Sequence, residues 1–202
     1  MIDIKQINTL DSTELQTAQQ LLDHEEMHSI ACLNWPENFP YKPEVHFQAA
    51  HNGKELFLRY TVNEQSAAAL KTTDNTLVCQ DSCVEFFISF DDLGYYNFEF
   101  SCIGTIMLGY HTDRQHAEYA DKNILAAIKR FPSLGQTPFT ETKMNAPWQL
   151  LVVIPVSSFF KHGIATFTGL KAHANFYKCG DHLSTPHYVT FEIGRASCRE
   201  RV

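Results

Sequence analysis

The chain has 202 residues, of which 44% are hydrophobic, and its formal net charge is -7. With only 19% charged residues it is too apolar to stay disordered, and its length predicts one domain with its own core. The acidic balance argues against a nucleic-acid-binding protein, which needs a basic surface, and no apolar run reaches the ~18 residues that predict a membrane-spanning helix.

The first predicted element is one short N-terminal helix. Ser12 is a suitable N-cap, and Leu15, Ala18 and Leu22 then recur at helical spacing. A strand is predicted for residues 29–34. It ends at a segment with three prolines, which is expected to be extended or turned, because proline keeps the residue before it out of the helical region.

Strand patterns dominate the rest of the chain. Residues 45–49 and 56–62 flank Asn52-Gly53, the strongest short-range signal for a β-hairpin. Further strands are predicted for residues 84–90, 95–100, 106–110, 124–128, 148–154, 171–177 and 187–191, and a single helical turn for residues 155–160. About nine short strands with turn signals between them predict an all-β fold, an antiparallel β-sandwich that is jelly-roll-like.

The last ten residues, 193–202, differ in composition from the rest of the chain. They contain three arginines, as many as the preceding 192 residues, and one reading frame of a common short-read sequencing adapter translates to the same ten residues. We therefore expect residues 193–202 to be an adapter-derived artefact and residues 1–192 to be a single β-sandwich domain. The alternative is a genuine basic tail, and sequencing the gene from intact genomic DNA distinguishes the two.

The five cysteines before residue 193 form no recognisable framework. An odd number at irregular spacing does not indicate disulfides, and a zinc site would need a second pair beside Cys79 and Cys83. His24 and His28 are four residues apart, but no third metal ligand is identifiable. We therefore expect no metal site and no cofactor; a structural calcium ion stays open, without identifiable ligands.

Three blocks of sequence together resemble the carbohydrate-binding module family 9-like proteins. They are residues 74–88, Asn34-Trp35 with residues 39–45, and residues 174–181 with residues 186–188. The resemblance spans residues 28–191 and implies a β-sandwich related to domains that bind sugars or haem. The best-studied modules of this family hold the reducing end of a glycan between two tryptophan faces, and they usually accompany glycoside hydrolases.

The resemblance implies part of a sugar site. Glu85 matches an acidic residue that accepts hydrogen bonds from sugar hydroxyls. Cys79 stands where the family usually has one tryptophan of the clamp, and a cysteine offers no face for stacking. Tyr177 is the candidate for the second aromatic wall, with Asn175 beside it as an amide that reads hydroxyls.

Two further residues complete the predicted ligand-binding set. Glu99 alternates with two phenylalanines and shares a strand face with Asn97, so it faces either a ligand or solvent. Trp35 lies in the proline-rich segment, where its ring either contacts a ligand or packs onto the end of the sandwich.

The predicted function is non-catalytic binding of a glycan or a reducing-end sugar, in support of polysaccharide catabolism. With one aromatic wall lost, we expect a micromolar to millimolar affinity, about -4 to -8 kcal/mol. Two alternatives stay open: a glycoside hydrolase that uses Glu85 and Glu99 as a carboxylate pair, and a haem or redox module, for which no axial ligands are apparent.

The expected partner is a carbohydrate, with association with glycoside hydrolases as a further expectation, and neither nucleic acid nor a membrane span is expected. The sequence leaves the location of the protein open. Five cysteines without a disulfide pattern and the absence of a visible secretory signal favour the cytoplasm, whereas glycan binding favours export.

Overall fold

A computed structural model of the chain describes residues 2–7, 20 and 22–193. Within them, most of the regular structure is β-strand. In chain order the strands are β1 Lys5–Gln6, β2 His28–Ser29, β3 Cys32–Leu33, β4 Glu44–His51, β5 Glu55–Asn63, β6 Ser66–Ala69, β7 Cys83–Ser89, β8 Tyr95–Ser101, β9 Ile106–His111, β10 Ala117–Tyr119, β11 Lys129–Pro132, β12 Phe139–Lys143, β13 Trp148–Pro155, β14 His173–Cys179 and β15 Tyr188–Thr190.

The strands form two large sheets that pack face to face. The first sheet has the order β1-β4-β5-β13-β11, with β2 also paired to β4, and the second has the order β10-β9-β8-β7-β14-β15-β3. β6 and β12 form a separate two-stranded ribbon. Apart from β1 with β4, the described pairs are antiparallel, so the predicted antiparallel β-sandwich is confirmed.

Alternation along each strand builds the core between the two sheets. Phe86 of β7 and Phe176 of β14 point inward from the second sheet, and Phe47 of β4 points inward from the first. Phe176 stacks on Phe47 with 3.7 Å between ring centroids and on Phe86 with 5.1 Å. Because successive side chains of a strand point to opposite faces, the residues next to Phe86 and Phe176 face away from the core.

Most of the predicted strands are present. The Asn52-Gly53 hairpin joins β4 to β5, and Gly53 has a φ of 90°, the left-handed conformation that glycine adopts without strain. The helical turn predicted for residues 155–160 is the short 3-10 helix Val156–Ser158. The strand predicted for residues 29–34 is divided between β2 and β3, which belong to different sheets. Of the five strands that were not predicted, none is longer than β12 with its five residues.

The strand predicted for residues 124–128 is wrong, because this segment lies in the helix α1, Lys122–Ala127. The side chain of Asp121 caps the helix by accepting hydrogen bonds from two backbone N–H groups of the first turn, at 2.8 and 3.0 Å. Leu125 and Ile128 are buried, and the two residues between them are exposed. This is a helical period, and the cap at position 121 is the signal that a reading based on apolar residues overlooks.

Two predictions fall outside the described part of the chain. The N-terminal helix starting at Ser12 lies there almost entirely, since only residues 20 and 22 of it are described, and so do residues 194–202 of the expected artefact. Both stay predictions. Among the described residues, no helix combines the length and the apolar character that a bilayer span requires.

Gly94 ends the turn between β7 and β8, where the backbone of β9 lies very close. A Cβ atom at this position would lie 2.5 Å from the carbonyl oxygen of His111, which cannot move without disturbing the sheet. We expect Gly94→Ala to lower the free energy of unfolding by about 1–3 kcal/mol, measured by urea denaturation. Gly163→Ala is the matched control, since nothing lies within 4 Å of a Cβ there. Similar losses in the two variants would contradict the packing argument.

Candidate functional site

One face of the second sheet is directed away from the sandwich core, and we call it the outer face. Its residues alternate with core residues along β7, β8, β9 and β14. They are Cys83, Glu85, Phe87, Tyr95, Asn97, Glu99, Met107, His111, Asn175, Tyr177 and Cys179. Four of the five predicted ligand-binding residues therefore lie on this face: Glu85, Glu99, Asn175 and Tyr177.

Strand register places three of these four residues side by side. Glu85 of β7 is directly opposite Glu99 of β8 on one side and Tyr177 of β14 on the other. Because neighbouring strands lie about 4.8 Å apart, two carboxylates and a phenol form one row across the sheet. Met107 of β9 extends the row beyond Glu99. The sequence predicted these residues one at a time, and the register of the sheet brings them together.

Both carboxylates of this row are buried and hydrogen-bonded. The Asn97 amide donates to Glu99 Oε1 at 2.8 Å, which confirms that these two side chains share a face. The Cys179 thiol donates to Glu85 Oε1 at 3.0 Å. Both glutamates have an exposed fraction of 0%. Burying a carboxylate is costly unless hydrogen-bond donors contact it. The row is therefore a buried, hydrogen-bonded polar site and not a strand face exposed to solvent.

Asn175 and Tyr177 are held by contacts within the chain. The Asn175 amide donates to the Tyr177 hydroxyl at 3.1 Å and to the carbonyl oxygen of Glu192 at 2.9 Å. Asn175 Oδ1 accepts a hydrogen bond from the backbone N–H of Glu192 at 3.1 Å. The Tyr177 ring meets Phe87 edge-to-face at 4.8 Å. These contacts fix Tyr177 at the end of the carboxylate row and use the Asn175 amide to secure the segment that follows β15.

Tyr95 and His111 are outer-face residues that the sequence analysis missed. Their rings stack with 5.1 Å between centroids and an interplanar angle of 6°. Alternation along β8 could have identified Tyr95, because it lies on the same face of the strand as Asn97 and Glu99. Tyr95 is half-buried, so the stacked pair offers an aromatic surface on the outer face, four residues along β8 from Glu99.

Aromatic side chains from the loop after β3 cover the other end of the outer face. Trp35 and Phe39 pack against a cluster that contains Val78, Cys79, Cys83, Met107, Cys179 and Tyr188. The half-buried Trp35 ring meets the ring of Tyr188 edge-to-face at 5.8 Å. Position 79 carries no stacking face, but Trp35 supplies an aromatic ring to the same cluster from a different segment of the chain.

Two contacts fix the position of the loop that carries Cys79. Asp81 Oδ2 accepts hydrogen bonds from the backbone N–H groups of Leu70 and Lys71 at 2.9 and 2.8 Å. The carbonyl oxygen of Cys79 accepts one from the backbone N–H of Asp181 at 3.0 Å. Asp81 thus braces this loop, as its place before β7 indicates, and the loop is joined to the segment after β14.

Two cysteines and Glu85 converge on the outer face. Cys83 and Cys179 are directly opposite each other on β7 and β14. Their sulfur atoms and a carboxylate oxygen of Glu85 all lie within 4.8 Å of one another. By spacing alone, the near neighbour of Cys83 is Cys79, and local spacing cannot reveal a partner on a distant strand.

A pocket of about 420 Å³ lies elsewhere, beside β5, β11 and β13 of the first sheet. Its lining includes Arg59 and Arg130, which form ion pairs with Asp23 at 2.6 Å and with Asp74 at 2.9 Å. The pocket contains none of the predicted ligand-binding residues. Its two arginines serve the chain's own carboxylates, so the carboxylate row is the stronger candidate site.

The model of carbohydrate-binding family 9 matches residues 16–197 of the chain. The chain belongs to carbohydrate-binding family 9. No curated protein matches it.

Solved structures agree with the assignment to carbohydrate-binding family 9. A crystal structure of a Bacteroides uniformis protein described as a "putative carbohydrate-binding protein" has 39% sequence identity and a TM-score of 0.88, covering 93% of this chain and 87% of that one. A family 9 module from Caldicellulosiruptor kristjanssonii in complex with cellotriose has 8% identity and a TM-score of 0.53, covering 93% and 82%. The same organism's family 9 module in complex with glucose has 9% identity and a TM-score of 0.53, covering 93% and 83%. At such low identity the two modules support the fold alone.

Proposed function

We propose that the chain binds carbohydrate on the outer face of the second sheet and does not cleave it. The observation that carries this proposal is the row formed by Glu99, Glu85 and Tyr177 in direct register. Membership of carbohydrate-binding family 9 supports the ligand class. The cellotriose and glucose complexes of the Caldicellulosiruptor modules give the first sugars to test.

The chemistry of the face suits a sugar. Sugar hydroxyls donate hydrogen bonds to carboxylates, and two adjacent carboxylates provide acceptors for neighbouring hydroxyls of one ring. The weakly apolar face of a sugar ring packs on aromatic side chains, and two half-buried rings, Tyr95 and Trp35, lie toward opposite ends of the outer face. The row would therefore read hydroxyls while these rings supply apolar contact.

Two neighbouring carboxylates are also what a glycoside hydrolase uses. In such an enzyme one carboxyl group has to donate a proton to the leaving oxygen. Here Glu99 and Glu85 each accept a hydrogen bond, from Asn97 and from Cys179. This arrangement favours a role for both glutamates as acceptors of hydrogen bonds from sugar hydroxyls. Release of reducing sugar by the chain, lost in Glu85→Gln, would establish the enzyme instead.

Replacing Glu99 with glutamine is expected to weaken carbohydrate binding about tenfold or more, since a hydrogen bond to a charged group contributes about 1.5–3 kcal/mol. The substitution keeps the size of the side chain and removes its charge. Isothermal titration calorimetry with glucose, cellotriose and a panel of other oligosaccharides measures the effect. The unaltered chain should bind its best sugar in the micromolar to millimolar range.

Glu44→Gln is the control for this titration. Glu44 is exposed on β4 of the other sheet, where it contacts His46 at 3.3 Å and Asn63 at 3.3 Å. Its replacement should leave sugar affinity unchanged. Equal affinity in the two variants contradicts the proposed location, and absence of binding to every sugar by the unaltered chain contradicts the proposed function.

A further inference from the structure

We propose that Cys83, Glu85 and Cys179 form a binding site for a zinc ion on the outer face. Two sulfur atoms and one carboxylate oxygen, all buried, lie within 4.8 Å of one another. These are ligand types that zinc accepts, and three of them from two paired strands converge on one point.

The distances suit a tetrahedral ion. Zinc binds thiolate sulfur at about 2.3 Å and carboxylate oxygen at about 2.0–2.2 Å, which sets ligand atoms about 3.5–4 Å apart. The Cys179 sulfur already lies 3.0 Å from Glu85 Oε1. The three ligand atoms, which lie within 4.8 Å of one another, therefore differ from this spacing by about 1 Å or less.

The sheet holds the three ligands in place. Cys83 and Glu85 are two residues apart on β7, so they share a face, and Cys179 is paired directly with Cys83. The register that fixes these positions runs the length of β14, from His173 opposite Ser89 to Cys179 opposite Cys83. Because the strands already hold these ligands in place, metal binding does not require the loss of conformational entropy that ordering a loop would cost.

The ligand chemistry selects the class of metal. Thiolates favour zinc and other soft ions, whereas calcium and magnesium require oxygen ligands. The apolar residues Val78, Met107 and Tyr188 belong to the same cluster as the two cysteines and limit solvent access. On binding, the hydrated zinc ion releases all but one of its waters and each thiol releases its proton to solvent. Two Zn–S bonds and one Zn–O bond form, and no electron is transferred. Three protein ligands leave the fourth position of the ion to water.

The test uses the full chain, freed of metal under a thiol reductant and then titrated with Zn²⁺ alone or with Co²⁺. We expect one zinc ion per chain and, with Co²⁺, the charge-transfer absorption of a thiolate ligand. Cys83→Ser and Cys179→Ser should each weaken zinc binding about 100-fold or more, since loss of a group that merely orients a ligand already costs about 10–100-fold. If circular dichroism shows that a cysteine variant does not fold, Glu85→Gln, which removes the third ligand, replaces it in the test.

Cys102→Ser is the matched control. Cys102 is another buried cysteine, whose thiol donates to the carbonyl oxygen of Ala68 at 3.7 Å, outside the proposed site. Zinc binding should be unchanged in this variant. Failure of the unaltered chain to bind zinc, or unchanged binding in both Cys83→Ser and Cys179→Ser, overturns the proposal.

The zinc site and the proposed carbohydrate site share Glu85, so the experiment has to separate them. Glu99→Gln should weaken sugar binding and leave zinc affinity unchanged, because Glu99 is not a zinc ligand. Cys83→Ser should abolish zinc binding, and its sugar affinity in the presence of a chelator should equal that of the metal-free unaltered chain. Either proposal can thus fail while the other stands.

Discussion

Replacing Lys178 with methionine is expected to lower the free energy of unfolding by about 3–5 kcal/mol, measured by urea denaturation at neutral pH. Lys178 lies on the core side of β14, and its ammonium group is 2.8 Å from Glu64 Oε2, with both side chains at 0% exposure. It also donates to His187 Nε2 at 2.7 Å and to the carbonyl oxygen of Cys179 at 2.9 Å. Without Lys178, the carboxylate of Glu64 stays buried and loses its cation.

The same ion pair predicts a loss of stability in acid. Burial alone raises the pKa of Glu64, but Lys178 and His187 more than offset this and lower it from 4.5 to about 2. Since the folded pKa lies below the unfolded one, the stabilisation is complete above pH 4.5 and is lost as the pH falls toward 2. A shift of this size corresponds to about 3 kcal/mol. The stability difference between the unaltered chain and Lys178→Met should therefore shrink over this range, and a constant difference would contradict the assignment.

His187 adds a second acid-sensitive contribution at higher pH. Burial and the neighbouring Lys178 lower the pKa of His187 below 6.5 in the folded chain. The unfolded chain therefore takes up a proton first, and this part of the stability begins to fall below pH 6.5.

A double variant controls for the volume and the charge of this site. Glu64→Gln combined with Lys178→Met removes both charges and leaves an acceptor for the Trp148 indole N–H, which donates to Glu64 Oε1 at 2.7 Å. We expect the double variant to recover a large part of the stability lost in Lys178→Met, because no unpaired charge stays buried. A double variant that loses the sum of both single effects would show that packing, not charge, determines the loss.

Phe176→Ala is the second substitution with a large expected effect, a loss of about 3–5 kcal/mol in the free energy of unfolding. The Phe176 ring links the sheets, since it stacks on Phe47 of the first and Phe86 of the second. Removing the ring leaves a cavity between the two sheets. The surrounding strands cannot close it, because their backbones are held in place by hydrogen bonds within each sheet. Thermal and urea unfolding measure the effect. Tyr119→Ala, at a position with 52% exposure on β10, is the control and should change stability by less than about 0.5 kcal/mol.

The sequence predicted those parts of the site that depend on local pattern. Alternation placed Glu99 with Asn97 and Tyr177 with Asn175, and both placements match the outer face. Lys178 lies on the opposite side of β14 from Tyr177, as a period of two residues requires, but this period does not indicate which group meets the charged side chain there. Its partner Glu64 follows β5, and nothing in the spacing of the two residues connects them.

Local signals also failed where two patterns compete. The apolar residues 124–128 suit a strand by composition, but Asp121 caps a helix and the burial of Leu125 and Ile128 follows a helical period. The proline-rich segment was predicted to be extended or turned, and its composition did not indicate the cluster to which Trp35 contributes its ring. The Asp121 cap is a local signal, whereas the burial of Leu125 and Ile128 and the position of Trp35 depend on contacts with the rest of the sandwich.

By itself the sequence determined the class of fold, the main hairpin and the face that each strand residue takes. The period of two residues along a strand, the turn chemistry at Asn52-Gly53 and the hydrophobic pattern that marks residues for burial can all be recognised from residues close together in the sequence. The tertiary structure alone decided which residues become neighbours across strands: Glu85 beside Glu99, Cys83 beside Cys179, and Lys178 beside Glu64. Register between distant strands depends on how the whole core packs, because a shift of one residue would exchange every inward and outward side chain. The candidate carbohydrate and zinc sites both depend on that register.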